Sequence, residues 1–316
     1  MQTQIGKSVF NAKKLLSNGK LVAIPTETVY GLAANAFDLG AVSSVFRAKN
    51  RPSFDPLIVH VSNLAMAEKI AIIPDELRQI VNILWPGPIT ILCKKKSSID
   101  NLVTAGSDFV AIRVPNHSLT LSLLDKLSFP LVAPSANPFG YVSPTSARHV
   151  FDSLNGKVDY ILNGGSCKIG LESTIISYHN SEIIIHRLGG ISALGIAALI
   201  DLPIRINIQN NSNPAAPGML DKHYSPKVLL RIISPKNKEI VDENSALICF
   251  GSQSYSKHKY ILNLSKTDNL DEAAQNIFSF LRKLDTLSIN CAYAYLVPEY
   301  GLGAAINDRL KRAAVH

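Results

Sequence analysis

The stretch LVAIPTETVYGL (21–32) decides how this chain is read. LVAIP is a short apolar run closed by a proline, the pattern of a buried strand. Thr26, Glu27 and Thr28 follow it directly. In open α/β sheets, ligands bind in the loops just past strand ends. A polar triplet at that place is therefore a ligand loop or an ordinary turn or helix cap, where threonine is equally common. The residues alone leave the two readings level.

Outward from this stretch, helical and strand patterns alternate. Residues 9–20 predict a helix ending at Gly19, with Val9, Ala12, Leu15 and Leu16 on one face. Downstream come a helix over 41–50, a strand over 56–61 and a helix over 75–85. Leu77, Ile80, Val81 and Leu84 in the last fall at helical spacing. Strands are expected at 88–94, 110–115, 131–136, 159–164, 173–178 and 183–189, and helices over 117–127 and 191–200. Strands with interspersed helices predict an α/β domain with a mixed sheet over 1–204. Residues 205–227 are rich in Asn, Pro, Ser and Gly, lack periodicity, and are assigned as a linker. Over 228–316 the pattern restarts with strands in VLLRIIS, ALICFG and YILNLS. A helix over 271–287, the strand CAYAYLV (291–297) and a helix over 304–314 follow. That order predicts a small, Rossmann-like α/β C-terminal domain.

The chain has 316 residues, 47% of them hydrophobic and 18% charged, which suits two domains with a large core and excludes disorder. The net charge is +8, with 18 basic and 13 acidic residues in 1–200 and 14 and 11 in 201–316. A dispersed positive charge suits an anionic ligand such as a nucleotide or RNA without identifying one. Lys94, Lys95 and Lys96 form the one basic run and read as a solvated strand end. The longest apolar stretch, Ile191 to Ile200, is too short to cross a bilayer. The N-terminus lacks the apolar run of a signal peptide. Cys93, Cys167, Cys249 and Cys291 are scattered, without a C-x-x-C pair. No membrane association is expected, and the cytoplasm is the expected location.

The common catalytic fingerprints are missing from the sequence: there is no G-x-x-x-x-G-K-[ST], strand-linked G-x-G-x-x-G, H-E-x-x-H or G-x-S-x-G. Polar clusters at strand ends remain. RAKNRPSFDPLIVH (47–60) gathers Arg47, Lys49, Arg51, Asp55 and His60; its basic residues suit phosphate oxygens, or simply a solvated loop. Arg113 stands inside the apolar strand VAIRVP, and Arg187 inside IIIHRLGG. A charge there must face solvent, pair, or bind an anion, because burying it unpaired is costly. APSANPFGYVSPTSA (133–147) supplies Ser135, Asn137, Ser143 and Thr145 on a proline-stiffened loop, and GLESTI (170–175) adds an acid and hydroxyls. Together these make a positioning site for an anionic substrate, with no obvious nucleophile and no metal cage of protein side chains.

PTETVYGL, KNRPSFDPLIVH, WPGPIT (85–90), VAIRVPNH, APSANPFGYVSPT and GLESTI stand in the order found in the YrdC-type domain family, which residues 10–200 resemble. PGMLDKHYSP (217–226) and AINDRLKRAA resemble the linker and second domain of its long, two-domain threonylcarbamoyl-AMP synthases. The resemblance implies a twisted mixed sheet with a concave, positively charged cavity, over which the linker reaches. It implies condensation of L-threonine, bicarbonate or CO2, and ATP (carried with Mg²⁺) into threonylcarbamoyl-adenylate and pyrophosphate. It also implies a partner transferase complex that modifies a tRNA adenosine; direct contact of this chain with tRNA is left open.

By motif position the resemblance puts Thr28, His60, Arg113, Ala133 and Ser173 on threonine. It puts Lys49, Arg51, Asp55, Phe109, Ser135, Ser143, Arg187 and Tyr224 on ATP. No catalytic base is assigned; for His60 a proton-accepting and a purely binding role stand level. The sequence departs from the family at Asn50 (commonly Gly), Asp55 (often Asn), Phe109 (commonly Thr) and Leu220-Asp221-Lys222 (usually aromatic and basic). The alternatives are a non-catalytic RNA-binding or assembly module of the same fold, and a paralogue acting on another carbamoyl compound. The 7% aromatic content gives the RNA module little stacking surface.

Overall fold

The computed structural model describes residues 2–207, 223–234, 243–252 and 258–315. Most of the linker, including Leu220-Asp221-Lys222, lies outside them. The sequence 21–32 forms a strand, Val22–Ile24, then the polar triplet, then a second strand, Gly31–Asn35, antiparallel to the first. These two strands sit inside a 12-stranded mixed sheet. On one side lie Tyr160–Leu162 and the edge strand Gln4–Gly6, both parallel to Val22–Ile24 in direction. On the other side come Leu131–Val132, Ile58–His60, Phe109–Arg113, Ile89–Lys95, Thr174–His179, Glu182–Arg187 and Ile204–Ile206, with Ala71–Ile72 paired onto Ile89–Lys95.

Pleating gives this sheet two unlike faces, because successive side chains point opposite ways. Val59, Val110, Ile112, Ile91, Cys93, Ile176 and Ile185 join the main core. The alternate positions, Ile58, Leu92, Ala111 and Ile175, make a small apolar floor on the opposite face. His60 and Arg113 pair in register and share that second face. Arg187 opposite Ile175 belongs to it as well.

The elements read from periodicity are present, with shifted ends. Helix Val9–Ser17 starts at Ser8, whose hydroxyl accepts from the Asn11 amide. Helix Leu39–Lys49 starts at Asp38 and stops at Asn50, which has φ 51°. That left-handed cap is where glycine is favoured, and asparagine is among the few other residues that tolerate it. The expected strand 131–136 shrinks to Leu131–Val132, because Pro130 and Pro134 withhold ladder donors. Gly31–Asn35 and the helices Leu64–Ile70 and Ala147–Leu154 were not read from the sequence. GLAAN is made of small residues without β-branching, so it carries little strand signal.

The second sheet is fully parallel, in the order Leu230–Ile232, Cys291–Ala294, Ser245–Cys249, Tyr260–Asn263. Helices Leu270–Leu284 and Gly303–Ala313 pack with it in a common core. This is the Rossmann-like pattern expected. The same core takes in Val29, Val142 and Leu171 from the first part of the chain and Tyr224 from the end of the linker. Arg282, buried at this seam, donates to the carbonyls of Val142 (2.5 Å) and Ser143 (3.3 Å) and to the Ser153 hydroxyl (2.9 Å). Tyr141 donates to Asp285 at 2.7 Å across the same seam.

Candidate active site

The second face of the large sheet, the loops after Val22–Ile24 and Leu131–Val132, and the end of the linker enclose one cavity. It is lined by nine residues expected in the site: Thr28, Arg51, His60, Arg113, Ala133, Ser135, Ser173, Arg187 and Tyr224. It has two ends of different construction.

At the first end stands Arg113, almost completely buried. Its Nη1 donates to Thr28 Oγ1 at 2.8 Å, its Nε to the Gly87 carbonyl at 3.2 Å, and its Nη2 pairs with Glu27 Oε1 at 2.6 Å. Glu27 also accepts from the Asn116 amide at 3.0 Å. A buried arginine in an apolar strand is thus stable because a neighbouring carboxylate and hydroxyl answer it. A guanidinium has five N–H donors in a planar fork, so Arg113 retains capacity for a second anion. His60 lies beside it on the adjacent strand. Burial pushes the His60 imidazole down to about 3, and the Arg113 charge adds to this. At neutral pH it is an uncharged donor and acceptor and a poor proton acceptor.

At the second end, Arg51 pairs with Asp55 at 2.8 Å and donates to the carbonyls of Asp55 (3.1 Å) and Pro56 (2.8 Å). Arg187 donates to the Ser173 carbonyl (2.9 Å) and hydroxyl (3.0 Å), and that hydroxyl is 2.7 Å from Thr90. Burial lowers the Arg187 guanidinium to about 10, still charged at neutral pH. Tyr224 closes this end. It has φ 64°, is stacked on Phe278 with ring centres 5.3 Å apart, and touches the His223 ring. An aromatic residue in the left-handed region is strained, and such strain persists only where surroundings impose it. The space left inside is about 50 Å³, well below the roughly 300–1,000 Å³ of ligand pockets. His223 and Tyr224, from the end of the linker, are part of the cavity lining.

Four expected residues stand outside the lining. Lys49 is fully buried and donates to the carbonyls of Ser135 and Asn137 at 2.5 Å each, which fixes the 133–147 loop. Burial, reinforced by Arg51, pushes its ammonium well below the ordinary lysine range. Asp55 orients Arg51; burial raises its carboxyl, against the pull of Arg51, Lys49 and Arg187. Ser143 donates to Glu172 at 2.6 Å. Phe109 is half-exposed at the far end of the Arg113 strand, on the same sheet face and roughly 13 Å along it. Glu27, Glu172 and His223 were not assigned roles from the sequence. All three lie inside the motifs PTETVYGL, GLESTI and PGMLDKHYSP, and for the two acids the available signal was a carboxylate beside an arginine-rich cluster. Lys95 and Lys96, from the basic run, bond Asn101 and the Glu68 carbonyl near the strand end.

Fold and site together define a two-part α/β protein with a buried arginine-lined cavity stopped by its own linker. A family model described as "Telomere recombination" (Sua5/YciO/YrdC) matches residues 14–189, and one described as "Threonylcarbamoyl-AMP synthase, C-terminal domain" matches 191–315. The chain therefore belongs to the Sua5/YrdC family, in its two-domain form. It is 36% identical to the threonylcarbamoyl-AMP synthase of Pyrococcus abyssi, over 96% of this chain and 93% of that one. It is 35% identical to the synthase of Bacillus subtilis, over 97% and 92%. The crystal structure of P. abyssi Sua5 complexed with L-threonine superposes with a TM-score of 0.91 at 35% identity, covering 99% of this chain and 97% of that one.

Proposed function

We propose that this chain condenses L-threonine, bicarbonate or CO2, and ATP into threonylcarbamoyl-AMP, releasing pyrophosphate. One observation supports the reading: three buried arginines, Arg51, Arg113 and Arg187, line one cavity together with Tyr224 from the end of the linker. Arg113 and Thr28 hold the threonine carboxylate, with His60, Ala133 and Ser173 around the rest of the amino acid. Arg51, Arg187, Ser135 and Tyr224 hold the nucleotide. Lys49, Asp55 and Ser143 act one step back, by fixing the 133–147 loop, Arg51 and Glu172 respectively. The apolar floor of Ile58, Leu92, Ala111 and Ile175 leads toward Phe109 and offers the adenine a surface.

The threonine amine forms an N–C bond to CO2 and loses a proton, giving a carbamate. A carbamate oxygen then attacks the α-phosphorus, and the bond to the β-phosphate oxygen breaks to release pyrophosphate. Such a displacement needs alignment and charge neutralisation more than a protein nucleophile. With its imidazole near 3, His60 binds as a neutral partner and the amine proton leaves to solvent or bicarbonate. Mg²⁺ would arrive on the triphosphate and supply further charge neutralisation. The acids nearest the site, Glu27, Asp55 and Glu172, are each paired with an arginine and offer it no all-protein cage.

ATP needs more room than the closed cavity gives, so His223 and Tyr224 withdraw for it to bind and return for chemistry. The functional division is 1–204 for chemistry, 205–227 as lid, and 228–316 as the lid's support. The product is a mixed anhydride, so its consumer is a transferase that moves the threonylcarbamoyl group to a tRNA adenosine. We place this reaction in the cytoplasm. Incubation with ATP, bicarbonate and threonine should release pyrophosphate only when all three are present. Release that ignores threonine and bicarbonate contradicts the reading.

A further inference from the structure

The last helix reaches into the active-site wall. Arg309 is completely buried. Its Nε pairs with Glu172 Oε2 at 3.0 Å, its Nη2 donates to the Leu188 carbonyl at 2.7 Å, and its Nη1 pairs with Asp308 at 2.5 Å. The guanidinium also lies over the Tyr224 ring, 5.1 Å from its centre. One side chain thus joins the wall of the cavity, the end of the linker and the second domain. Glu172 is a carboxylate lining a cavity read above as a triphosphate site, where an unanswered negative charge would repel the ligand. Arg187 feels both Glu172 and Arg309. Without Arg309, Arg187, the arginine assigned to phosphate, is a cation within electrostatic reach of Glu172.

We propose that Arg309 is a positioning residue that neutralises Glu172, keeping its carboxylate from repelling the triphosphate and from claiming Arg187. The second domain then contributes to the electrostatics of the site as well as to its closure. This rests on the functional reading above and deepens it. Glu172 itself holds no ligand in this account; Ser143 and Arg309 take its two oxygens.

The test uses full-length Arg309→Met, Glu172→Gln and the double variant, with unfolding temperature and the KM values for ATP and threonine measured for each. Arg309→Met should raise the ATP KM at least tenfold and the threonine KM by less than threefold. Glu172→Gln should lower the ATP KM about two- to fivefold. The double variant should recover to within about threefold of the parent, although it too lacks the Arg309–Tyr224 contact. A folded double variant that keeps the Arg309→Met defect overturns the proposal. So does a folded Glu172→Gln protein with a raised ATP KM, because Glu172 would then be holding a ligand. If Arg309→Met does not fold, the other two variants decide on the same terms. If the parent releases no pyrophosphate, the functional reading fails separately. The order of affinities for a non-hydrolysable Mg–ATP analogue, measured by calorimetry, then tests the charge argument alone.

Discussion

The two ends of the cavity are held by different means. At the Arg113 end, every partner comes from the first part of the chain: Glu27, Thr28 and the Gly87 carbonyl. These sit on or beside paired strands, so the clamp is formed before any ligand arrives. At the other end, Arg51 comes from a loop, Arg187 from a hairpin strand, Tyr224 from the linker and Arg309 from the last helix. That end keeps its arginines on partners in the first part of the chain but is completed by the linker residue Tyr224, which Arg309 and Phe278 of the second domain support. A rigid clamp beside an assembled one suits a small amino acid that stays put and a large nucleotide that must be admitted and enclosed.

The comparison breaks most visibly if the assembled end is removed. Deleting residues 205–316 should lower turnover by more than about a hundredfold in a pyrophosphate assay; full activity would reduce the second domain to a tether. Next, Arg113→Ala should raise the threonine KM about a hundredfold, equivalent to roughly 2.7 kcal/mol, with the ATP KM within about threefold. Equal effects on both substrates would mean that the two ends are not separate.

Acid should act on the whole molecule. His60 titrates near 3 in the folded chain, far below its ordinary 6.5, and His149 near 4. The unfolded chain therefore binds more protons between those values, and stability is full above about pH 6.5 and falls as pH drops toward 3. Each such histidine contributes up to about 1.4 kcal/mol per pH unit. Urea unfolding across that range should show this slope, reduced in His60→Asn. An unchanged slope in that variant would place the effect elsewhere. The smallest effect is expected at the open margin. Phe109→Ala should raise the ATP KM about two- to fivefold, in keeping with roughly 1 kcal/mol of ring contact, and leave the threonine KM alone.

The rigid end was the more legible in the sequence. A charge inside VAIRVP has few physical excuses, and the strand alternation that aims Arg113 and His60 to one face is local. Its position among the basic residues of 47–60 and the family motif place Lys49 with the phosphate ligands. Its actual partners, the carbonyls of Ser135 and Asn137, lie 86 and 88 residues away and leave no local trace. Arg282 and Arg309 stand within the helical segments 271–287 and 304–314, where nothing in the local sequence marks them as buried. Their burial depends on a seam between parts of the chain more than a hundred residues apart. GLAAN escaped notice for a different reason: small residues in a central strand carry neither alternation nor β-branching.

The central claim is that this cavity joins CO2 to threonine before activating it on the nucleotide. The direct measurement is mass spectrometry of the product formed from ATP, threonine and ¹³C-bicarbonate. The account predicts a threonylcarbamoyl-adenylate carrying one added ¹³C, formed in step with pyrophosphate. Pyrophosphate released with an unlabelled threonyl-adenylate, or with no adenylate at all, would contradict it.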